Sequence, residues 1–259
     1  MYKAVFSDFD GTLLTSEHKI SPKTQAAIER ITTKGIPFVP ISARSPKGIW
    51  PYADQLGVDL IVAFSGALIL NRQGEVLYSV QIDPQDVALL NAEFIDFPAL
   101  ATNYYFFDDC VTNDLQNRWV QYEIGVTHIE MLQGEKGKVY PAHKIQVIGE
   151  PEEILQLENR LKAKFPHLSI HRSLDSFLEI MEKSASKGQA VRFLESYLNV
   201  TTEQAVAFGD NFNDLDMLEN VGLGVAMANA PEAIKAAANR VTASNNEDGI
   251  ALVLNEVFE

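Results

Sequence analysis

The chain has 259 residues, 46% of them hydrophobic, which is enough to bury a core in one large domain or two smaller ones. Its 35 acidic residues against 21 lysines and arginines give a formal net charge of -14. Such a surface repels phosphate backbones and anionic lipid, so nucleic acid and membrane are excluded as expected partners. The single cysteine, Cys110, allows no internal disulfide, and the sequence shows neither a long apolar run nor a leader segment. These features predict a cytoplasmic protein.

Strands and helices alternate over the N-terminal part of the chain. Apolar runs predict strands at residues 3–7, 37–41 and 60–64, with helices over 22–34 and 47–56. Ser21 as N-cap, Pro22 at the first helical position and Gly35 as a stop mark the first helix. A hairpin follows, in which residues 71–74 turn between two β-prone runs. Alternation of this kind predicts a parallel sheet covered by helices.

From about Asp83 the pattern changes. Apolar residues at helical spacing predict helices near residues 87–97 and 154–165, and β-prone runs predict strands at 102–107, 144–148, 168–173 and 177–181. Residues 108–140 mix aromatic and turn residues and give no clear element. The segment therefore predicts helices on one face of an antiparallel sheet.

After Met181 the first pattern returns. Helices are predicted over 187–198, 213–219, 231–238 and 249–257, with strands at 204–210 and 222–227. The simplest organisation is an α/β, Rossmann-like core formed by residues 1–82 and 184–259. Residues 83–183 are then inserted in this core as a second, α+β domain.

Polar residues stand at the predicted strand ends of this core. Asp8 and Asp10 follow the first strand, Ser42 follows the second, and Asp210 ends a later one. Lys187 opens a helix. Ligands of open α/β sheets bind outside the carboxyl ends of the strands, so these residues are expected to converge on one site.

The residue types fit chemistry at phosphorus. Converging aspartates would raise each other's pKa, and a hard divalent cation such as Mg²⁺ relieves that repulsion. Asp8 could then act as a nucleophile, while Asp10 protonates a leaving oxygen and later activates a water. Ser42 and Lys187 suit phosphoryl oxygens, and Gly11 permits the sharp turn that exposes both acids. Asp210 is the natural candidate for a further metal ligand, and Asn213 and Asp214 are expected to orient Asp210 or Lys187.

Each of these residues also has a simpler interpretation. An Asp-x-Asp-Gly run can be a solvated turn, Ser42 and Asp214 can cap helices, and a lone lysine can be a surface residue. Their occurrence together, in this order, favours the site.

The stretches "DFDGTLL", "ISAR", "SKG" and "GDNFNDLDML" resemble the four motifs of the haloacid dehalogenase superfamily, in their usual order. The insertion between the second and third motifs resembles the type IIB cap of the Cof-type phosphatase subfamily. The chain departs from the commoner Thr-Gly-Arg form at Ser42 and Ala43, and Ser65 replaces the Asn of a common Asn-Gly-Ala stretch.

The resemblance implies a role for each matching position. Asp8 would be the phosphorylated nucleophile and Asp10 the general acid/base. Mg²⁺ would be held by the Asp8 carboxylate, the Asp10 backbone carbonyl and Asp210. The substrate-binding positions would be Gly11, Ser42, Ala43, Arg44, Lys187 and Asn213. Asp214 would support these residues without being a substrate-binding position itself.

The expected function is Mg²⁺-dependent hydrolysis of a small phosphorylated metabolite, with sugar phosphates as the first class, through an aspartyl-phosphate. A phosphomutase of the same superfamily uses the same residues and stays open as an alternative. A non-catalytic phosphometabolite-binding protein is the other alternative, although it would be expected to lack Asp8, Asp10 or Lys187. Residues 83–183 would select the substrate, but they contain no motif that identifies it. The sequence does not predict the oligomeric state.

Overall fold

Short strands, most of them rich in buried apolar residues, form two separate sheets in the computed structural model, which describes residues 1–127 and 129–259. The chain divides into one unit made of Met1–Tyr78 and Ser186–Glu259 and a second unit, Ser79–Ala185. The sequence-based borders after residues 82 and 183 therefore shift by a few residues. Ile82 falls in the second unit because it packs in the core of that unit, and its amide donates to the carbonyl of Ala142 at 2.9 Å.

The elements follow one another along the chain as the alternation predicts. The N-terminal part contains β1 (Ala4–Asp8), α1 (Pro22–Thr32), β2 (Phe38–Ile41), α2 (Pro46–Leu56), β3 (Leu60–Ala63), β4 (Leu68–Asn71) and β5 (Val76–Ser79). The inserted part contains α3 (Pro84–Phe94), β6 (Ala101–Phe106), β7 (Asp109–Thr112), α4 (Arg118–Thr127), β8 (Leu132–Gln133), β9 (Lys144–Ile148), α5 (Pro151–Lys164), β10 (Leu168–Leu174) and β11 (Phe177–Glu182). The C-terminal part contains α6 (Lys187–Leu198), β12 (Ala205–Gly209), α7 (Leu215–Glu219), β13 (Leu223–Ala226), α8 (Glu232–Ala237), β14 (Arg240–Val241) and α9 (Gly249–Val257).

The sheet of the first unit has the strand order β14-β13-β12-β1-β2-β3-β4-β5. Strand β1 pairs in parallel with β12 on one side and β2 on the other, and every residue of β1 is buried. This is the burial expected for a parallel strand covered on both faces. The register sets Asp8 opposite Ile41, so the residues that follow β1, β2 and β12 meet at one edge. The predicted parallel-sheet α/β core is confirmed.

Helix α6 begins where the sequence predicts, at Lys187. The side chain of Ser186 caps the helix by accepting a hydrogen bond from the amide of Gln189 at 3.2 Å. At the other end, Asn199 ends the helix in the left-handed conformation with φ 52°. The cap therefore fixes Lys187 at the first position of a well-defined helix.

The second unit is built on a sheet of order β10-β11-β9-β6-β7-β8. Its pairs are antiparallel except for β7 with β8, and apolar residues of α3 and α5 share one core cluster with the sheet. The prediction of helices on an antiparallel sheet is confirmed, and the unassigned residues 108–140 contain β7, α4 and β8. Within the described ranges, no helix is both long and apolar enough to cross a membrane.

His143 is a buried titratable group of the second unit. Its Nε2 lies 3.0 Å from the hydroxyl of Ser79, and its Nδ1 accepts a hydrogen bond from the amide of Phe107 at 3.4 Å. The ring stacks on Phe106 with centroids 5.2 Å apart. Burial lowers the pKa of His143 from 6.5 to about 4, so the imidazole is neutral in the folded chain at neutral pH.

We expect this histidine to make the folded chain less stable in acid. Because the pKa of His143 is lower in the folded chain, the unfolded chain takes up the proton first as the pH falls. The contribution of neutral His143 to the free energy of unfolding is therefore fully present above pH 6.5 and is lost as the pH falls towards 4. Urea unfolding should show wild type losing on the order of 2 kcal/mol more than His143→Gln between about pH 7 and pH 4.5. Identical losses in the two proteins would contradict the assignment.

Candidate active site

A buried lysine lies between two buried carboxylates at the end of β1. Lys187 is 1% exposed, and its Nζ donates to Oδ1 of Asp8 and, at 2.5 Å, to Oδ1 of Asp214. Burial lowers the pKa of Lys187, but the charges of Asp214 and Asp8 outweigh burial and raise it. Burial raises the pKa of Asp8 well above its ordinary value, the charge of Asp214 adds to the rise, and Lys187 opposes it. The site thus holds more negative charge than its lysine neutralises.

Both carboxylate oxygens of Asp214 are engaged by the protein. While Oδ1 accepts from Lys187, Oδ2 accepts from the amides of Asp210 and Asn211, each at 2.9 Å. Asp214 can approach this closely because residue 209 is glycine, where a Cβ would lie 2.5 Å from the Cβ of Asp214. The carboxylate therefore closes the cap of the short helical turn Phe212–Asp214 and also orients Lys187.

The turn that follows β1 packs directly on Asp210. Thr12 Oγ1 donates to Oδ1 of Asp210 at 2.7 Å, and a Cβ at Gly11, whose φ is +83°, would lie 2.5 Å from Oδ2. Asn229 Nδ2 donates to the carbonyl of Gly11 at 2.9 Å and lies 3.4 Å from Oδ2 of Asp210. Burial raises the pKa of Asp210, the hydrogen bond from Thr12 offsets part of the rise, and Asp214 adds to it.

Thr12 and Asn229 are contacts that the sequence-based reasoning missed. Thr12 directly follows the Asp-Gly pair, and Asn229 follows β13, which ends at the same edge of the sheet. Their positions at strand ends are the signal that could have identified them.

The carboxylates of Asp8, Asp210 and Asp214 place oxygens within 4.8 Å of one another. Asp214 accepts three short hydrogen bonds, at 2.5, 2.9 and 2.9 Å, whereas Asp210 accepts one short hydrogen bond at 2.7 Å and a long one at 3.4 Å, so within this cluster Asp8 and Asp210 are better placed to offer an oxygen to a cation. Carboxylate and carbonyl oxygens with an excess of negative charge are the donor set that suits Mg²⁺. The residues present fit that ion.

Asp10 stands apart from this cluster. Its side chain is 46% exposed, and Arg44 donates to it twice, from Nε to Oδ2 at 2.9 Å and from Nη2 to Oδ1 at 2.5 Å. His18 Nδ1 lies 3.7 Å from Oδ1. The predicted acid/base and the predicted substrate-binding arginine are thus paired with each other in this structure.

The other predicted residues lie on the loops after β2 and β12. Ser42 is buried, its amide donates to the carbonyl of Val62 at 2.9 Å, and its hydroxyl accepts from the amide of Arg44 at 3.1 Å. Ala43 beside it is half-buried, and Asn213 is exposed next to Asp214. Both loops therefore stand at the edge of the sheet where Asp8 ends β1.

Gly66 places the loop after β3 against the start of α6. Its φ is +113°, and a Cβ there would lie 2.2 Å from the carbonyl oxygen of Ser186, the residue before Lys187. Ser65 beside it has φ 52° and donates from its amide to the carbonyl of Ser42 at 2.8 Å. The loop therefore connects Ser42 to the helix that carries Lys187.

We expect Gly66→Ala to lower the free energy of unfolding by about 2–5 kcal/mol. The new Cβ would clash with the backbone of Ser186, and the positive φ would also strain an alanine. Turnover should fall as well, because the clash moves the start of α6. Gly74→Ala is the matched control: φ is +79° there and the added Cβ would have open space, so only the conformational strain remains. Urea unfolding and measurement of kcat for both variants check the prediction. Equal losses of unfolding free energy in Gly66→Ala and Gly74→Ala would contradict it.

Comparison with known proteins identifies the family. The model of the haloacid dehalogenase-like hydrolases matches residues 5–254. A Haemophilus influenzae protein named "Putative phosphatase" is 61% identical over 100% of this chain and 99% of its own. A Bacillus subtilis protein named "Putative phosphatase YxeH" is 32% identical over 99% of this chain and 98% of its own. The crystal structure of a haloacid dehalogenase-like hydrolase from Bacteroides thetaiotaomicron has a TM-score of 0.91 at 28% identity, covering 100% of both chains.

These matches extend over the inserted unit as well as the parallel-sheet core, because the family model runs through both. The expectation of a hydrolytic enzyme is confirmed with them. The chain belongs to the haloacid dehalogenase-like hydrolases, in the Cof-type branch that its motifs indicate.

Proposed function

We propose that the chain is a Mg²⁺-dependent phosphatase of small phosphorylated metabolites, with sugar phosphates as the substrate class. The observation that carries the proposal is the buried group at the end of β1, where Lys187 separates Asp8 from Asp214 and Asp210 lies alongside. Similarity to relatives with phosphatase names supports the same activity. We further propose that the enzyme acts in the cytoplasm and that Ser79–Ala185 selects the substrate.

Asp8 is the proposed nucleophile. One of its carboxylate oxygens attacks the phosphorus, and the bond between phosphorus and the ester oxygen breaks. The neighbouring Lys187 favours the ionised form of Asp8, because its charge and hydrogen bond oppose the rise that burial and Asp214 give to the pKa of that carboxyl. Asp214 keeps Lys187 in place, because both of its oxygens are engaged.

Asp10 is the proposed general acid and base. Its carboxylic proton passes to the leaving alkoxide, which departs as an alcohol. The resulting carboxylate then takes a proton from water, whose oxygen attacks the phosphorus of the aspartyl-phosphate. The bond between Asp8 and phosphorus breaks, inorganic phosphate leaves, and both aspartates return to their starting forms.

The phosphoryl group is held by Ser42 and Lys187, with Gly11, Ala43 and Asn213 around it. A hydroxyl, an ammonium and backbone amides at strand ends are donors suited to phosphoryl oxygens. Mg²⁺ would be held by Asp8, Asp210 and the backbone carbonyl of Asp10. When bound, it would neutralise the acids and the charge that develops on the phosphoryl oxygens.

The proposal is tested by phosphate release from p-nitrophenyl phosphate and from a panel of sugar phosphates, with Mg²⁺ and with EDTA. We expect release that needs Mg²⁺ and that is fastest for one group of sugar phosphates. Product analysis distinguishes the alternatives: free phosphate means hydrolysis, and an isomerised sugar phosphate means a mutase. Tight binding of a phosphorylated metabolite with no chemical change, from folded protein with Mg²⁺ present, would contradict the proposed catalysis.

A further inference from the structure

Arg44 lies in a slot that fits its side chain. The guanidinium carbon is 5.1 Å from the ring centroid of Phe9, which is fully buried, and 5.9 Å from that of Tyr52. Gly48 forms the floor, because a Cβ there would lie 3.3 Å from the Cβ of Arg44. The two rings meet edge to face with centroids 5.0 Å apart, and contact of the guanidinium with both of them restricts the arginine to one orientation.

The backbone of Arg44 is fixed as firmly as the side chain. Its amide donates to the hydroxyl of Ser42 at 3.1 Å, and its carbonyl accepts from the amide of Phe64 at 3.0 Å. The Tyr52 wall is itself held, because its hydroxyl donates to the carbonyl of His18 at 3.1 Å. The slot therefore moves with the strand ends that form the candidate site.

The slot aims the guanidinium at both oxygens of Asp10. The two hydrogen bonds, 2.9 Å from Nε and 2.5 Å from Nη2, form the two-pronged arrangement that only an arginine can make. The two side chains remain 30% and 46% exposed, so the pair is in contact with water and is not part of the buried core. An aromatic slot that fixes a two-pronged pair at the edge of the candidate site points to a role in orienting the carboxylate.

We infer that Arg44 is a positioning residue for Asp10 and not a ligand of the substrate. The inference rests on the proposed function, and it differs from the substrate-binding role that the sequence resemblance implies. With Phe9, Tyr52 and Gly48, Arg44 fixes the rotation of the Asp10 carboxylate, so that proton transfer starts from one orientation. The guanidinium donors that would suit a phosphoryl group, Nε and Nη2, are hydrogen-bonded to Asp10.

The test compares Arg44→Ala, Arg44→Lys, Asp10→Asn and the double variant Asp10→Asn/Arg44→Ala, with p-nitrophenyl phosphate and glucose 6-phosphate as substrates. Loss of a general acid/base lowers kcat by about 10²–10⁴-fold, and loss of its orientation should lower kcat by about 10–10²-fold. The KM of the Arg44 variants should change little. Arg44→Lys should recover kcat because it keeps the positive charge, but only in part because a lysine cannot bind both carboxylate oxygens in the same way. The double variant should be no slower than Asp10→Asn alone, because Arg44 acts through Asp10.

Arg240→Ala is the matched control. Arg240 on β14 also makes a two-pronged contact, from Nη1 and Nη2 to the carboxylate of Glu256 at 2.9 and 2.6 Å. This variant should keep wild-type kcat and KM, and urea unfolding should show the Arg44 variants as folded as the control.

Each other outcome has a defined meaning. A raised KM with unchanged kcat, or a further loss when Arg44→Ala is added to Asp10→Asn, would overturn the positioning role and restore substrate binding. Unchanged kinetics of Arg44→Ala beside an active wild type would overturn this inference alone. A wild type that releases no phosphate would overturn the proposed function, and this inference with it.

Discussion

Asp8→Asn is expected to abolish turnover while the chain stays folded. Removal of an enzymatic nucleophile lowers kcat by roughly 10⁴-fold or more, because an amide oxygen does not form the covalent intermediate. The substitution keeps the shape of the side chain, and Lys187 keeps its hydrogen bond to Asp214 at 2.5 Å. The loss should therefore appear in kcat and not in the free energy of unfolding.

Asp59→Asn is the control for this variant. Asp59 is an exposed aspartate that precedes β3, at the opposite end of the strands, and it pairs with Arg72 at 3.2 Å. We expect unchanged kcat for Asp59→Asn on every substrate that wild type hydrolyses. Substantial turnover by folded Asp8→Asn would contradict the assignment of the nucleophile.

Lys187→Met is expected to have the largest effect on stability. The substitution leaves the carboxylates of Asp8 and Asp214 buried together without a counter-charge. Breaking a buried ion pair in this way destabilises a protein by about 3–5 kcal/mol. Urea unfolding at pH 7.5 should show that loss, and phosphate release should fall with it because the phosphoryl group loses a cation.

A second variant separates the two effects of this lysine. Lys187→Met/Asp214→Asn removes one of the stranded charges, so it should recover part of the lost unfolding free energy without recovering turnover. The control Lys235→Met breaks a surface pair with Glu232 at 3.0 Å and should change stability by no more than about 0.5 kcal/mol. A Lys187→Met protein as stable as wild type would show that the two carboxylates are not held as charged partners of the lysine.

The fold was largely predictable because its signals are local. The buried run of β1, the cap and proline that open α1, and the start of α6 at Lys187 each depend on residues near in sequence. Residues 108–140 were not predictable, since β8 is a strand of two residues and its pairing with β7 comes from distant parts of the chain. The first compact unit breaks after Tyr78, a few residues before the border at residue 82 that the sequence predicts, because packing, and not composition, places Ile82 in the second unit.

The site was predictable as a set of residues but not as a set of contacts. The positions of Asp8, Ser42, Lys187 and Asp210 follow from strand ends that a parallel sheet brings together. That Arg44 turns to Asp10 depends on an aromatic slot, whose Tyr52 comes from the next helix along the chain. Such a choice between two plausible partners is made by three-dimensional packing, which sequence spacing does not encode.

Trapping of the aspartyl-phosphate tests the central claim most directly. Wild type, Asp8→Asn and Asp10→Asn are mixed with p-nitrophenyl phosphate and Mg²⁺, quenched in acid, and their peptides analysed by mass spectrometry. We expect one phosphoryl group on the peptide that contains Asp8, more of it in Asp10→Asn because its hydrolysis lacks the general base, and none in Asp8→Asn. Phosphate release by wild type with no phosphoryl group on Asp8 in any of the three proteins, or a phosphoryl group on another residue, would contradict the account.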